Sequence, residues 1–127
     1  MHIILCSDNP SVARSVCDAV GEAGERWTLC ESGMDLLAAV RTLAADLAIL
    51  DVGTHGMGGS LLVSAVRELA SDLPILVVSA TDGAEIRAMT LQGVPHVVLG
   101  TAHDGELQRL VTGLAERRRP ALGVNSR

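Results

Sequence analysis

Five short apolar segments recur along this chain and alternate with stretches of helical periodicity, an order that few folds accommodate. Four of the segments are nearly continuous Ile, Leu and Val, which is typical of strands covered on both faces of a parallel sheet. The second segment is less apolar and is predicted to be an edge strand. The segments are His2 to Cys6, Arg26 to Cys30, Leu47 to Leu50, Ile75 to Ser79 and His96 to Leu99.

A helical pattern follows each segment. In the first helix, Val12, Val16 and Val20 recur at i, i+4 and i+8, while Pro10 suits the first turn and Asn9 the N-cap. The other predicted helices are Met34 to Leu43, Ser60 to Ala70, Gly83 to Leu91, and a last one capped by Asp104 that carries Leu107, Leu110, Val111 and Leu114. Five strand–helix repeats predict an α/β fold with a parallel sheet and right-handed crossovers.

The composition restricts the function. A chain of 127 residues fits one domain, and its core must be built almost entirely from aliphatic side chains because Trp27 is the only aromatic residue. Aromatic side chains that would stack on the bases of single-stranded nucleic acid are therefore not expected. A net charge of -5 also argues against direct binding to a nucleic-acid phosphate backbone. All ten basic residues are arginine, so any mechanism that needs a lysine is excluded within this chain.

Cysteine usage and hydropathy indicate a cytoplasmic protein. Cys6, Cys17 and Cys30 are odd in number, follow no Cys-x-x-Cys spacing, and are expected to be reduced. Of the three, Cys30 at the end of the edge strand is expected to be the exposed thiol. The amino terminus lacks the features of a signal peptide, and no apolar stretch approaches the roughly 20 residues that span a bilayer.

Polar side chains stand where the first, third and fourth predicted strands end. They are the Ser7-Asp8 pair, Asp51 and Ser79. Each could be a local cap or strand-end residue when taken alone, but the carboxyl ends of parallel strands meet at one crevice, so the joint placement favours a site. Two carboxylates there suit a magnesium ion, and the Ser79 hydroxyl could contact a phosphoryl group on Asp51.

These residues lie in segments that resemble the receiver domain of bacterial two-component response regulators, over essentially residues 1 to 122. The matching segments are Ile4 to Pro10, Leu47 to Asp51 with Gly56, Met57 and Gly59, Pro74 to Ala80, and Gly93. The resemblance implies a doubly wound, flavodoxin-like fold with strand order 2-1-3-4-5. It also implies that Asp51 is the phosphoacceptor, that Ser79 follows the phosphoryl group, and that Asp8, Asp51 and the Gly53 carbonyl bind magnesium, weakly or not at all.

The sequence departs from the family pattern at several functional positions. Ser7 replaces the first member of the acidic pair, Gly100 stands where the family has a strand-five lysine, and Val97 stands at the switch aromatic. In the phosphoacceptor loop, His55 follows Thr54 where the family has a proline after methionine. Losing a carboxylate and a lysine weakens metal binding and phosphoryl contacts, so the resemblance predicts an atypical receiver.

The resemblance also implies partners. It predicts a sensor histidine kinase, and a homodimer formed through the fourth helix, fifth strand and fifth helix of the family fold. Residues 1–119 are expected to form the receiver-like domain, and residues 120–127 to begin a linker to a DNA-binding output domain that regulates transcription. Candidate dimer contacts are Arg87, Met89, Gln92, Gln108 and Arg109.

Other protein classes share parts of this pattern. A protein-interaction module on the same fold, without phosphoryl chemistry, remains open. Haloacid-dehalogenase-like enzymes carry the motif Asp-x-Asp, whereas Asp51 is followed here by Val52 and Gly53. A cobalamin-binding module would need a histidine at the position of Gly53. The glycines after Asp51 do not have the spacing of a dinucleotide site. His55 and His103 are expected in loops at the same rim.

Overall fold

The computed structural model describes residues 1–21, 26–53, 59–80, 87, 92–102 and 105–118. Its five strands form one parallel sheet in the order β2-β1-β3-β4-β5, which confirms the predicted fold. The strands are β1 (His2–Cys6), β2 (Arg26–Cys30), β3 (Leu47–Asp51), β4 (Ile75–Ser79) and β5 (His96–Val98). The sequence pattern located each of them to within one residue.

Two strand ends differ from the prediction, and both lie at the candidate site. β3 continues through Asp51, because the ladder with β4 extends to the pair Asp51 and Val78. β5 ends at Val98, and the chain turns into a 3₁₀ helix at Leu99–Thr101.

Four helices lie in the described ranges: α1 (Pro10–Val20), α2 (Gly33–Thr42), α3 (Gly59–Leu69) and α4 (Glu106–Arg118). The Asn9 cap is confirmed, because its side chain accepts hydrogen bonds from the backbone N–H groups of Ser11 and Val12 at 2.9 and 3.4 Å. The predicted helix Gly83 to Leu91 lies outside the described residues except for Arg87, and so does the predicted cap Asp104.

The core has two apolar layers, one on each face of the sheet. Along β1, Ile3 and Leu5 face the layer that contains α1 and α4, whereas Ile4 and Cys6 face the layer that contains α2 and α3. α1 packs against α4, and α2 packs against α3. This doubly covered sheet explains the near-continuous apolar strands. In the described part of the chain, no helix has the length and apolarity needed to span a membrane.

β2 is the edge strand, as predicted, but its last residue is not exposed. Cys30 is only 6% exposed and packs in the layer under α2, so the expectation of an exposed thiol there is wrong. The physical reason is the alternation of side chains along the strand, which turns position 30 inward even at the sheet edge. Trp27 is partly buried against the opposite layer.

Candidate functional site

The carboxyl ends of β1, β3 and β4 bring together three buried polar side chains. Ser7, Asp51 and Ser79 are 7%, 7% and 8% exposed, and no other polar or charged side chain in the described ranges is buried. Cys6 pairs with Leu50 and Asp51 pairs with Val78, so Ser7 and Ser79 follow on the strands that flank Asp51. The predicted convergence of strand-end groups is therefore present, with Asp51 between the two serines.

Both carboxylate oxygens of Asp51 accept hydrogen bonds. The Ser7 hydroxyl donates to Oδ2 at 2.7 Å, and the Gly53 backbone N–H donates to Oδ1 at 2.9 Å. Such charge-assisted bonds are stronger than neutral ones and offset the cost of burying the charge. Asp51 is thus held in place by the chain itself.

Ser7 is anchored by three further polar contacts. Its backbone N–H donates to the Cys30 carbonyl at 2.9 Å, and its hydroxyl oxygen accepts from the Asn9 N–H at 3.1 Å. The hydroxyl also lies 3.2 Å from the Asn9 carbonyl, but its single hydrogen favours the shorter bond to the Asp51 carboxylate. Sequence reasoning treated Ser7 only as a missing acid and did not predict this bond.

Asp8 lies beside Ser7 but is more exposed. It lines a cavity of about 360 Å³ between α1 and the ends of β1 and β2, together with Ser7, Arg14 and Glu31. The side chain that hydrogen bonds to Asp51 from the end of β1 is Ser7. β1 and β3 are neighbouring strands, and the prediction that Asp8 and Asp51 meet across the crevice stays a prediction.

The negative charge of the site acts on a nearby thiol. Burial, the neighbouring Cys30 and the Asp51, Asp35 and Asp8 carboxylates raise the pKa of Cys6 to about 12. The Cys6 thiol also donates to the Ser32 carbonyl at 3.4 Å. A thiol held this firmly in its protonated form is a packing group beside the site and not a nucleophile at neutral pH.

The donor set fits magnesium only in part. The candidate ligands are the Asp8 and Asp51 carboxylates and the Gly53 carbonyl, and among the described residues no group of three or more His, Cys, Asp or Glu side chains could hold a metal ion. A neutral hydroxyl at Ser7 replaces a third carboxylate, and each Asp51 oxygen already accepts a hydrogen bond. Hard cations prefer several charged oxygens, so this set does not support a tight site.

The β5 side of the site carries no charged group at the expected position. A Cβ atom added to Gly100 would lie 3.3 Å from the Ala80 carbonyl oxygen, so the backbone passes close to the end of β4. Val97 packs with Val78 on the α1 face, whereas the residue in register with Ser79 is Val98. The switch position predicted at Val97 therefore faces away from the Ser79 side of the sheet.

Several sequence predictions fall outside the described residues. They concern the phosphoacceptor loop residues Thr54, His55, Gly56 and Met57, and also Met89 and His103.

Comparison with known proteins identifies the family. The sequence model of the response regulator receiver domain matches residues 3–111, and the chain belongs to that family. Among curated proteins, none matches this sequence.

Solved receiver structures share the fold at low sequence identity. A CheY-like receiver domain protein from Methanospirillum hungatei JF-1 is 15% identical, with a TM-score of 0.77 and coverage of 93% of this chain and 95% of that chain. The signal receiver domain of an HD domain-containing protein from Pseudomonas fluorescens Pf-5 is 12% identical, with a TM-score of 0.81 and coverage of 93% and 88%. The chemotaxis response regulator CheY4 of Vibrio cholerae is 21% identical, with a TM-score of 0.70 and coverage of 90% and 97%.

Proposed function

We propose that this domain is an atypical receiver with Asp51 as its phosphoacceptor position. Through that position the domain regulates an attached output domain. The observation that carries the proposal is the buried Asp51 carboxylate at the end of β3, flanked by hydroxyl residues at the ends of both neighbouring strands. Family membership over residues 3–111 supports it. By analogy with the family, the output domain would be a DNA-binding domain that regulates transcription. The receiver domain itself would act in the cytoplasm and would not catalyse turnover of a substrate.

The proposed chemistry needs only groups present at these strand ends and a phosphoryl donor. An Asp51 oxygen attacks the phosphorus of a phosphohistidine on a sensor kinase, the P–N bond breaks, and the departing imidazole takes up a proton. The product is an acyl phosphate on Asp51, and the Ser79 hydroxyl donates a hydrogen bond to one phosphoryl oxygen. Magnesium, where it binds to Asp8, Asp51 and the Gly53 carbonyl, would supply charge neutralisation.

Two features make this receiver a poor phosphoacceptor. The chain has no lysine, so the charge-assisted contact of roughly 1.5–3 kcal/mol that such a residue typically contributes is missing. In addition, the Ser7 hydroxyl hydrogen bonds to Oδ2 and must yield or turn if that oxygen reacts. Output should therefore depend less on acyl phosphate than in receivers that keep the acidic pair and the lysine.

A second candidate is a protein-interaction module with no phosphoryl chemistry. It is favoured by the same pair of hydrogen bonds, because Ser7 and Gly53 satisfy the Asp51 carboxylate without a phosphoryl group or a metal ion. The surface formed by the fourth helix, fifth strand and fifth helix of the family fold would then bind a partner without any need for phosphorylation. Of the residues expected there, Arg87, Gln92, Gln108 and Arg109 are exposed.

Intact-mass spectrometry after incubation with acetyl phosphate tests both candidates. We expect slow, incomplete addition of one phosphoryl group that is lost in Asp51→Asn and reduced in Ser79→Ala, with little dependence on magnesium. Rapid, complete modification together with micromolar magnesium affinity would contradict the atypical assignment. No modification, combined with the same dimerisation in wild type and Asp51→Asn, would establish the interaction module instead.

A further inference from the structure

The side of the molecule formed by α2 and α3 exposes large apolar side chains that are not buried in the core. Large apolar side chains that are well exposed include Met34 on α2, at 72%, and Leu61 and Leu69 on α3, at 66% and 46%. Isolated exposed apolar residues are ordinary, but several on one face mark a contact surface. Met34 and Leu69 line one groove.

The groove lies between two helices that pack together on the same layer of the core. It encloses about 350 Å³ and is lined by Met34, Leu37, Ala38, Arg41, Ala65, Glu68 and Leu69. On α2, Met34, Ala38 and Arg41 recur at i, i+4 and i+7. On α3, Leu61, Ala65 and Leu69 recur at i, i+4 and i+8, so Leu61 extends the apolar stripe toward the start of that helix. We refer to these eight residues as the α2–α3 face.

Charge is distributed along the α2–α3 face in a way that makes it complementary to itself. Both helices follow parallel strands and pack on the same layer of the core, so they run in the same direction. Arg41 is in the last turn of α2 and Glu68 is in the last turn of α3, which places opposite charges side by side at one end. The other end carries the apolar Met34 and Leu61.

We propose that the α2–α3 face joins two copies of this chain about a two-fold axis that runs parallel to the two helices. That rotation lays α2 of one copy over α3 of the other. Arg41 of each copy then faces Glu68 of the other, and Met34 of each copy faces Leu61 of the other. The two-fold axis therefore makes each contact occur twice. An isologous contact needs this self-complementarity, and a groove with small residues at Ala38 and Ala65 lets the helices approach closely.

The α2–α3 face is a better candidate for the dimer interface than the surface that the family resemblance predicts. Part of that other surface is a depression lined by Gln108, Arg109, Thr112, Gly113 and Glu116, which are mainly polar or small. Among the described residues, Met34, Leu61 and Leu69 supply exposed apolar area of the kind required at the centre of a homodimer.

Sedimentation velocity of the full chain over a range of concentrations tests the proposal. We expect a monomer–dimer equilibrium, and Met34→Glu should raise the dissociation constant by about tenfold or more, because it buries a charge at an apolar anchor. Arg41→Glu and Glu68→Arg should each weaken the dimer, since each creates a like-charge pair. The double variant that carries both changes should restore it, because opposite charges then face each other again between the two copies. The far-ultraviolet circular dichroism and melting temperature of the single variants should match those of the wild type.

Two matched controls separate this surface from others. Leu29→Glu alters an apolar side chain on β2 that is 61% exposed but does not line the groove, and Arg109→Glu alters the surface expected from the family. Both should leave the dimer intact. A chain that is monomeric at every concentration, single charge reversals that the double variant does not rescue, or a dimer broken only by Arg109→Glu would overturn the proposal.

The outcome is independent of the phosphoacceptor assignment. Modification of Asp51 by acetyl phosphate can be followed by mass in Met34→Glu, where the dimer is lost but the site residues are unchanged. We expect the modification to match that of the wild type.

Discussion

The Ser7 hydroxyl donates a 2.7 Å hydrogen bond to Oδ2 of the buried Asp51 carboxylate. The family resemblance places a metal-binding acid at this position, so the substitution replaces an indirect, ion-mediated link between the ends of β1 and β3 with a direct one. The serine is itself fixed by backbone contacts to Cys30 and Asn9. The ends of β1 and β3 are therefore linked directly through the side chains of Ser7 and Asp51.

Removal of this hydroxyl should destabilise the fold. Ser7→Ala leaves a buried carboxylate oxygen without its donor, and hydrogen bonds to charged groups typically contribute about 1.5–3 kcal/mol. We expect a decrease of that size in the free energy of unfolding, measured by urea denaturation. Ser11→Ala, at an exposed position on α1, is the matched control and should change stability by less than about 0.5 kcal/mol. A full loss that persists in an Asp51→Ala background would show that the bond is not its source.

Ser7→Asp should convert the site into a better cation site. Two carboxylates at this spacing repel each other, so the variant should melt below the wild type without divalent ions. Added magnesium should raise its melting temperature more than that of the wild type, because an ion that binds only the folded state stabilises it. Ser7→Asn, which adds similar bulk without charge, should show no such gain. The same melting temperature with and without magnesium would mean that Asp8, Asp51 and Gly53 cannot complete the ligand set.

Introducing the missing lysine at position 100 should have two opposing effects. A Cβ there meets the Ala80 carbonyl oxygen at 3.3 Å, so Gly100→Met should lower stability by about 1 kcal/mol through crowding. Gly100→Lys has the same crowding but adds a cation that can reach phosphoryl oxygens. We expect faster modification of Asp51 by acetyl phosphate in Gly100→Lys than in Gly100→Met, followed by intact mass. Equal rates in the two variants would show that the missing charge does not limit phosphorylation.

The fold could be predicted from the sequence because its signals are local and periodic. The apolar segments located all five strands, and the Asn9 cap located the start of α1. The end of β3 was placed one residue short because an acidic residue resembles a strand stop. In the structure Asp51 remains in the ladder opposite Val78, with its charge satisfied by neighbours that are distant in sequence.

The candidate site could be predicted only in outline. Strand-end placement indicated Asp51 and Ser79, and both are buried there. The role of Ser7 could not be predicted, because a serine carries no signal of which oxygen it will bind across 44 residues of sequence. The wrong expectation for Cys30 has a similar cause: edge position along the sheet says nothing about which face a strand's last side chain points to.

The three thiols should react in an order set by burial. Burial raises the pKa of Cys6 to about 12 and raises the pKa of Cys30 and Cys17 above the ordinary value of 9.0. Since the thiolate is the nucleophile, native alkylation should be slow, with partly exposed Cys17 first and buried Cys6 and Cys30 last. Peptide mass spectrometry after iodoacetamide treatment gives the order, and all three should label together in urea. Early labelling of Cys30 would contradict its burial under α2.

The same pKa shift fixes how stability depends on alkaline pH. The folded Cys6 thiol keeps its proton to about pH 12, whereas the unfolded one loses it near 9.0, so the unfolded state is the first to release the proton. The contribution of Cys6 is therefore fully present below pH 9.0 and is lost as the pH rises from there toward 12. Urea unfolding on either side of pH 9.0 should show this decline in wild type. Cys6→Val, which keeps an apolar side chain without a titrating group, should show a shallower decline, and an equal slope would assign the loss to other groups.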